Sequence, residues 1–290
     1  MLALFRLLAR LPLPLMHRLG TLLGWLAWWG SSGYRRRFRT NAEAAGFTKE
    51  QYRPAIAAAG AALAELPWLW GRPQGESVLP KVVSWSGVDT VEAALAERRG
   101  VIFLAPHVGS WELLGQAMAE RFVDDFGPMT ALYRPARKAW MTELVDGSRD
   151  RRGLKMLPTN TSGVRGLMRA LKSGGYTGIL PDQVPPRGQG VWAPFFGRQA
   201  YTMTLVPRLA QQTGAKVFTA VCERLAPGEG YAIRFAPLDE PALRDPKAPV
   251  EEAAAAMNRG IEGLIRELPG QYIWDYARYK DPRAELEVGS

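Results

Sequence analysis

Two short apolar runs constrain the fold of this chain more than any other feature. Residues 101–105 read Val-Ile-Phe-Leu-Ala and residues 176–180 read Tyr-Thr-Gly-Ile-Leu, and a glycine precedes each run. Runs of this length without alternating polar residues are typical of strands that are covered on both faces. Such strands occur in largely parallel sheets that have helices on both sides.

Strand-like and helix-like segments alternate along the rest of the chain. Residues 249–268 carry apolar side chains at helical spacing, which predicts a long amphipathic helix. We therefore expect an α/β fold with a mixed, mostly parallel sheet flanked by helices. Functional side chains in such sheets lie in loops at the carboxyl ends of strands. Further strands are predicted at residues 81–85, 129–133, 216–223, 231–235 and 272–279.

The rarest residue types exclude several kinds of metal chemistry. The single cysteine, Cys222, excludes an internal disulfide framework, a cysteine-rich zinc site and a ligated iron–sulfur cluster. The two histidines, His17 and His107, exclude a multi-histidine metal centre. We expect no metal site, and any histidine-based catalysis must use one of these two side chains.

The positive charge of the chain is concentrated at its N-terminus. The net charge is +9, and residues 1–40 contain seven arginines and no acidic residue, which leaves +2 for the remaining residues. A nucleic-acid-binding protein needs a basic face on its folded body, so this distribution argues against a nucleic-acid partner.

The same N-terminal segment is the most apolar part of the chain. Residues 19–34 carry no charge and include three tryptophans, and an arginine cluster follows at residues 35–39. Tryptophan suits the headgroup level of a membrane, and arginine suits an anionic surface. We expect residues 1–33 to be a membrane anchor that spans or lies on the bilayer, and residues 34–290 to be a single α/β domain. The alternative is a helix hairpin buried in the core, with solvated arginines.

One loop carries the pattern with the most chemical content. His107 comes just after residues 101–105, and Glu112 lies five residues later in the first turn of the next predicted helix. A carboxylate beside an imidazole fixes its tautomer and makes it a better general base. No serine occupies a Gly-x-Ser-x-Gly turn, so the pair suits direct deprotonation of a substrate hydroxyl. The alternative is a loop histidine hydrogen-bonded to a nearby acid without a functional role.

Six short blocks in a fixed order extend this pattern over most of the chain, and together they resemble a known family. The blocks are Pro-His-Val-Gly-Ser-Trp-Glu at 106–112, Leu-Tyr-Arg-Pro at 132–135, Leu-Pro-Asp-Gln at 180–183, Gly-Val-Trp-Ala-Pro-Phe-Phe-Gly at 190–197, Gln-Tyr-Ile-Trp at 271–274 and Arg-Tyr-Lys at 278–280. In this order and at these spacings they are similar to the late acyltransferases of lipid A biosynthesis (lauroyl and myristoyl transferases), within the His-x4-Asp/Glu glycerolipid acyltransferase superfamily.

The resemblance implies an activity and its partners. The expected reaction moves a fatty acyl chain from acyl carrier protein to a hydroxyl of a lipid A precursor, with acyl–acyl carrier protein as donor substrate and no cofactor. The expected location is the cytoplasmic face of the inner membrane, in contact with membrane lipids. The resemblance also implies the glycerolipid acyltransferase-like fold. On this reading His107 is the general base and Glu112 orients it.

Other residues are candidates for binding substrate or stabilising the reacting groups. The amides of Gly109 and Ser110, at a helix start, could donate to a thioester oxyanion. Arg134 could bind acceptor phosphates, although an arginine at a strand end is often only solvated. Arg165 and Arg169 share a helix face, which is either a solvated surface or a dock for the acidic carrier protein or lipid phosphates.

Two further pairs are open to two readings each. Asp182 and Gln183 follow residues 176–180 and so share a sheet edge with His107, where they either orient a sugar hydroxyl or hold the site together. Phe195 and Phe196 either line an acyl channel or belong to the core.

Three other functions are compatible with the same residues. The acceptor could be another phospholipid or glycolipid. The chain could be a non-catalytic membrane lipid-binding protein on the same scaffold, although an intact His-x4-Glu pair argues against this. It could also hydrolyse lipid thioesters, with water as the acceptor.

Overall fold

The computed structural model describes residue 5, residues 7–133 and residues 151–283. The strands of these residues are β1 (Val82–Ser86), β2 (Val101–Leu104), β3 (Met129–Tyr133), β4 (Leu154–Pro158), β5 (Tyr176–Ile179), β6 (Gly190–Phe195), β7 (Arg198–Met203), β8 (Lys216–Arg224) and β9 (Tyr231–Pro237). Five of them form a central sheet in the order β1-β9-β8-β2-β5, and two pairs of strands lie beside it.

Helices precede the sheet and connect most of its strands. Four of them lie between one strand and the next along the chain. Parallel strands need crossover connections of this kind. The helices are α1 (Leu13–Gly30), α2 (Ser32–Ala44), α3 (Lys49–Tyr52), α4 (Pro54–Ala64), α5 (Leu66–Gly71), α6 (Val88–Ala96), α7 (Trp111–Phe126), α8 (Thr161–Lys172), α9 (Leu205–Thr213), α10 (Pro241–Arg244) and α11 (Val250–Glu267).

The pairing of the strands confirms a mixed, mostly parallel sheet. β2 lies between β8 and β5 and is parallel to both. β1 is parallel to β9, and β9 is antiparallel to β8. Outside this sheet, β3 and β4 form a parallel pair, and β6 and β7 form an antiparallel hairpin.

The apolar run at β2 is buried on both faces, as its sequence predicts. All of its side chains are fully buried, and they alternate between two hydrophobic clusters. Val101 and Phe103 pack in the cluster that includes α6 and α7. Ile102 and Leu104 pack in the cluster that includes α8, α9 and α11. The sheet is therefore the middle layer of three.

The predicted strand at residues 272–279 is wrong. In its place Tyr272 makes an isolated bridge to Val108, in the loop after β2. The Gln271 side chain explains the position of this segment, because its amide nitrogen donates to the Arg224 carbonyl at 2.8 Å and its oxygen accepts from the Arg224 amide at 3.0 Å. The segment therefore crosses the end of β8 and does not join the sheet.

The N-terminal helix α1 packs closely on α4 through glycines. A Cβ at Gly24 would lie 2.2 Å from the Ile56 carbonyl oxygen, and one at Gly60 would lie 2.0 Å from that of Gly20. Only glycine allows the two backbones to approach this closely. Among the described residues no helix is long and apolar enough to cross a membrane, so the expected spanning anchor is not supported.

A buried carboxylate links α1 to the sheet. Glu65 lies between α4 and α5 and is 1% exposed. Its oxygens contact His17 Nε2 of α1 at 3.2 Å, the Tyr231 hydroxyl at 2.8 Å, Ser110 Oγ at 2.7 Å and Arg224 Nε at 3.1 Å. Burial acts to raise the pKa of Glu65, but the Arg224 charge and these hydrogen bonds lower it to about 2.

We predict that Glu65→Gln lowers the free energy of unfolding by about 3–5 kcal/mol at pH 7, because it leaves the Arg224 guanidinium buried without its counter-charge. The pKa of Glu65 is lower in the folded chain than its ordinary value of 4.5. Its stabilising effect is therefore complete above pH 4.5 and is lost as the pH falls toward 2.

Urea denaturation at several pH values measures this difference. Glu229→Gln is the matched control, since Glu229 is exposed in a turn, and we expect it to change stability by less than about 0.5 kcal/mol. Equal unfolding free energies for wild type and Glu65→Gln at pH 7 would contradict the assigned role.

Candidate functional site

Parallel pairing of β2 and β5 brings together the two side chains at the centre of the site. Leu104 pairs with Ile179, and the Ala105 amide donates to the Ile179 carbonyl at 3.0 Å. His107 follows β2 and Asp182 follows β5, so both lie at the carboxyl edge of the sheet. This is the edge at which the strand pattern predicts functional residues.

Asp182 holds the backbone and the ring of His107 at the same time. Its Oδ1 lies 2.8 Å from His107 Nδ1, and its Oδ2 accepts from the His107 amide at 3.1 Å. The Asp182 side chain is fully buried and that of His107 is 13% exposed. Because an ionised carboxylate only accepts hydrogen bonds, the neutral ring carries its proton on Nδ1 and has a lone pair on Nε2.

The charges around the pair shift the pKa of both members. Burial acts to lower the pKa of His107, but the charge and hydrogen bond of Asp182, with a smaller contribution from Glu112, raise it above its ordinary value of 6.5. Burial acts to raise the pKa of Asp182, but His107 lowers it. The arrangement therefore makes the imidazole more basic and keeps the carboxylate ionised.

The predicted pairing of His107 with Glu112 needs correction. Glu112 accepts a hydrogen bond from Trp70 Nε1 at 3.2 Å, while Asp182 makes the hydrogen bond to His107 Nδ1. The reason is that α7 begins at Trp111, so Glu112 lies on its first turn and faces α5. Asp182 makes the hydrogen bond to the ring, and the charge of Glu112 contributes to the raised pKa of His107.

The two backbone amides predicted to bind an oxyanion, those of Gly109 and Ser110, donate hydrogen bonds to other carbonyl groups of the protein. The Gly109 amide donates to the Gln271 carbonyl at 3.0 Å, and the Ser110 amide donates to the Cys222 carbonyl at 2.8 Å. The Ser110 hydroxyl donates to Glu65, so it does not cap α7 either. These contacts fix the loop, and they remove both amides from a role in binding an oxyanion.

Two other side chains, Gln183 and Trp111, contact the imidazole ring of His107. Gln183 Nε2 lies 3.1 Å from His107 Nε2, and the Trp111 ring centroid lies 5.0 Å from that of His107. Asp182 and Gln183 therefore have different functions, although they are adjacent: Asp182 contacts Nδ1 from within the core, and Gln183 contacts the nitrogen that has a lone pair.

Of the three arginines predicted to bind substrate, the two that the structure describes do not join this group. Arg134 lies outside the described residues. Arg165 and Arg169 are exposed on α8, which starts at the carboxyl end of β4 and runs toward the opposite sheet edge. Arg169 lies about 12 Å along the helix from its first residue, and it lines a surface cavity that also contains Lys155.

Phe195 and Phe196 lie in the core. They are 2% and 9% exposed, and both belong to the hydrophobic cluster on the α11 side of the sheet. Phe195 packs against Tyr279, and Phe196 packs against Phe47 and Trp274. Of the two readings, the contacts favour core packing over an acyl channel.

Glu65 is the important side chain that the sequence reading missed. Its carboxylate fixes the loop that carries His107 to the end of β8, because it accepts hydrogen bonds from the Ser110 hydroxyl and the Arg224 side chain. The sequence does indicate a special role for this side chain, because Glu65 is the only charged residue between positions 54 and 71. A lone acid in an apolar helical stretch predicts a buried, paired carboxylate.

We predict that Gly109→Ala destabilises the protein by about 1–3 kcal/mol and disturbs the loop that holds His107. Gly109 has a φ of +65°, and a Cβ there would lie 2.0 Å from the Cys222 carbonyl oxygen. Gly115→Ala is the matched control, since Gly115 lies within α7 with open space around it and alanine favours a helix by about 1 kcal/mol. Thermal unfolding measures both, and a Gly109→Ala protein as stable as wild type would contradict the close contact.

Comparisons with known proteins agree with the resemblance seen in the sequence. Residues 1–281 match the family described as bacterial lipid A biosynthesis acyltransferase. The chain is 32% identical over 222 residues to the lipid A biosynthesis palmitoleoyltransferase of Escherichia coli (strain K12), which covers 76% of this chain and 68% of the relative.

Two other relatives are similar over more of their length. The lipid A biosynthesis lauroyltransferase of the same organism is 26% identical over 284 residues, covering 94% of this chain and 88% of the relative. A lipid A biosynthesis acyltransferase of Haemophilus influenzae is 27% identical over 274 residues, covering 92% and 82%. The family match over almost the whole sequence confirms the predicted family: the chain belongs to the bacterial lipid A biosynthesis acyltransferases.

Proposed function

We propose that this chain transfers a fatty acyl group from acyl carrier protein to a hydroxyl of a lipid A precursor, with His107 as general base and Asp182 as the residue that orients it. Membership of the lipid A acyltransferase family supports the reaction and the acceptor. The observation that carries the assignment of the base is the 2.8 Å contact between His107 Nδ1 and Asp182 Oδ1. It leaves Nε2 as the nitrogen that can take a proton.

The proposed reaction needs no covalent enzyme intermediate. Nε2 of His107 removes the proton of the acceptor hydroxyl as the hydroxyl oxygen attacks the thioester carbonyl carbon. The tetrahedral oxyanion then re-forms the carbonyl and breaks the carbon–sulfur bond. The proton on Nε2 passes to the departing thiolate of the carrier, which restores the neutral ring. General-base catalysis of this kind contributes about 10²–10⁴-fold.

The nearby hydroxyl and thiol support direct transfer. Ser110 is 1% exposed and its hydroxyl donates to Glu65. Cys222 is fully buried, and burial raises the pKa of its thiol well above the ordinary range. A nucleophile must be accessible and easily deprotonated, so neither side chain is suited to carrying the acyl group.

We also propose that the chain works at the cytoplasmic face of the inner membrane, bound through α1 and α2. One face of α1 packs on α4, while the other carries large apolar side chains that are 40–65% exposed. Arg35, Arg36 and Arg39 of α2 line a surface cavity of about 280 Å³. An apolar face next to arginines suits a helix that lies in an anionic lipid surface. The exposed apolar residues of α1 are Leu15, Leu19, Leu22, Leu23, Leu26 and Trp29.

The central experiment incubates the purified protein with acyl–acyl carrier proteins and a tetra-acylated lipid A precursor, followed by mass spectrometry of the lipid. We expect the lipid to gain the mass of one acyl group, and we expect His107→Ala to lose this activity while its unfolding temperature stays close to wild type. Thioester consumption that yields only free fatty acid would instead support a hydrolase. Full turnover by a folded His107→Ala protein would exclude His107 as the base.

We predict that Asp182→Asn lowers kcat by about 10²–10⁴-fold, because asparagine removes the charge that fixes the ring and stabilises its protonated form. The base is active when it is deprotonated, so wild-type activity rises as the pH passes through the raised pKa of His107. Asp182→Asn shifts this limb of the pH–rate profile to lower pH. Glu112→Gln shifts it less, since the contribution of Glu112 to the pKa is smaller.

The matched control for Asp182→Asn is Asp125→Asn, an exposed carboxylate in the last turn of α7. We expect it to leave both kcat and the pH profile unchanged. An Asp182→Asn profile that coincides with that of wild type would show that Asp182 does not set the basicity of His107.

We predict that the double substitution Leu22→Ser and Leu26→Ser weakens binding to anionic phospholipid vesicles by roughly tenfold or more, because full burial of a leucine side chain is worth about 1.5–3 kcal/mol. Vesicle sedimentation measures the bound fraction. Val83→Ser is the control, since Val83 is an apolar residue that is 61% exposed on β1 and does not belong to α1. Equal binding by wild type and the double variant would exclude α1 as the membrane contact.

A further inference from the structure

The amide side chain of Gln183 occupies the position at which the acceptor hydroxyl must meet the base. Gln183 Nε2 lies 3.1 Å from His107 Nε2. Asp182 accepts from the Nδ1 side of the ring, so Nε2 of the neutral imidazole is an acceptor and Gln183 donates one of its two N–H groups to it. A substrate hydroxyl that donates to Nε2 must therefore displace this N–H group.

The described backbone amides of residues 107–110 are all hydrogen-bonded within the protein, so none of them is available to an oxyanion. The His107 amide donates to Asp182 Oδ2 at 3.1 Å, and the Val108 amide donates to the Pro106 carbonyl at 2.6 Å. The Gly109 and Ser110 amides are bound to the Gln271 and Cys222 carbonyls, as described above. The negative charge that develops on the thioester oxygen thus needs a donor from outside residues 107–110.

We propose that Gln183 is this oxyanion donor: the acceptor hydroxyl displaces its amide N–H from His107 Nε2, and the amide then donates to the thioester oxygen of the acyl donor. The inference rests on the proposed function, because it concerns the same reaction. The acceptor oxygen forms a bond to the thioester carbon, its proton goes to Nε2, and the carbonyl electron pair moves to the oxygen that Gln183 binds. That electron pair then re-forms the carbonyl as the carbon–sulfur bond breaks, and the departing thiolate takes the proton from Nε2.

The protonation state of His107 favours the same exchange. Once Nε2 holds a proton it becomes a donor, and it can no longer accept from the Gln183 amide. The amide is therefore free of the ring at the step in which the oxyanion exists. Side-chain amides act as oxyanion donors in other hydrolytic and acyl-transfer sites, where losing one donor lowers kcat by about 10²–10³-fold.

The backbone on both sides of Gln183 is fixed, which keeps its side chain within reach of the reacting atoms. Asp182 is fully buried against His107. On the other side, the Val184 amide donates to the Tyr276 hydroxyl at 2.9 Å. A donor that is held in place by its neighbours needs little reorganisation when charge develops, and this makes its stabilising effect larger.

The test compares wild type with Gln183→Met, which keeps the length of the side chain and removes its N–H groups. Two rates are measured: acyl transfer to the lipid A precursor, and slow hydrolysis of the same acyl–acyl carrier protein without acceptor. Both pass through an oxyanion on the thioester. We expect kcat for both to fall by the same factor, about 10²–10³-fold, with little change in KM for either substrate.

Two further variants make the result specific. Gln183→Glu places a second negative charge against Nε2, so we expect its kcat to fall as well and its pH–rate limb to move to higher pH. Gln212→Met is the matched control, because Gln212 is exposed on α9, near the amino end of β8 and therefore at the opposite sheet edge. We expect it to behave like wild type.

Other outcomes separate this proposal from the proposed function. If Gln183 only binds the acceptor, transfer by Gln183→Met falls through a higher KM and hydrolysis is unchanged, which overturns the proposal. Equal kcat values for Gln183→Met and wild type overturn it too. A wild-type protein that hydrolyses the thioester without acylating the lipid would contradict the proposed function, while the hydrolysis rates still decide the role of Gln183.

Discussion

The buried carboxylate of Glu65 joins parts of this protein that the sheet alone does not hold together. His17 approaches it from α1, Ser110 from the loop after β2, and Arg224 from the end of β8. A buried charge is costly unless it is paired and hydrogen-bonded, so the positions of these elements depend on one another. The N-terminal helix, which carries the exposed apolar face, and the loop that carries His107 therefore belong to one network.

This network leaves the functional loop with few free groups. The amides of residues 107–110 already donate hydrogen bonds within the protein, and Gly109 fits only because it has no side chain. In the proposed mechanism the reacting groups are therefore the two side chains at the edge of the sheet, His107 and Gln183, and Asp182 holds the His107 ring. An imidazole that is held at Nδ1 by a buried carboxylate is a suitable arrangement for a base that must act in a fixed geometry.

The sequence predicts the sheet and the location of the site better than the contacts within it. The apolar runs of β2 and β5 are enough to place His107 and Asp182 at one sheet edge, because parallel pairing aligns the carboxyl ends of the strands. Which carboxylate reaches the imidazole depends on the direction of α7, and a spacing of five residues does not reveal it. The aromatic segment after residue 271 resembles a strand by composition, but its partner is a loop. In the same way, an apolar N-terminal helix does not by itself distinguish a bilayer from the surface of α4.

The protonation of the His107 ring tests the central claim most directly. Nitrogen-15 NMR of the folded protein can follow both histidines through a pH titration, and the His107→Ala spectrum assigns the two. We predict that neutral His107 carries its proton on Nδ1 and titrates above 6.5, and that Asp182→Asn lowers its pKa. A neutral ring protonated on Nε2, or a pKa that does not respond to Asp182→Asn, would contradict the role of Asp182 and with it the proposed base.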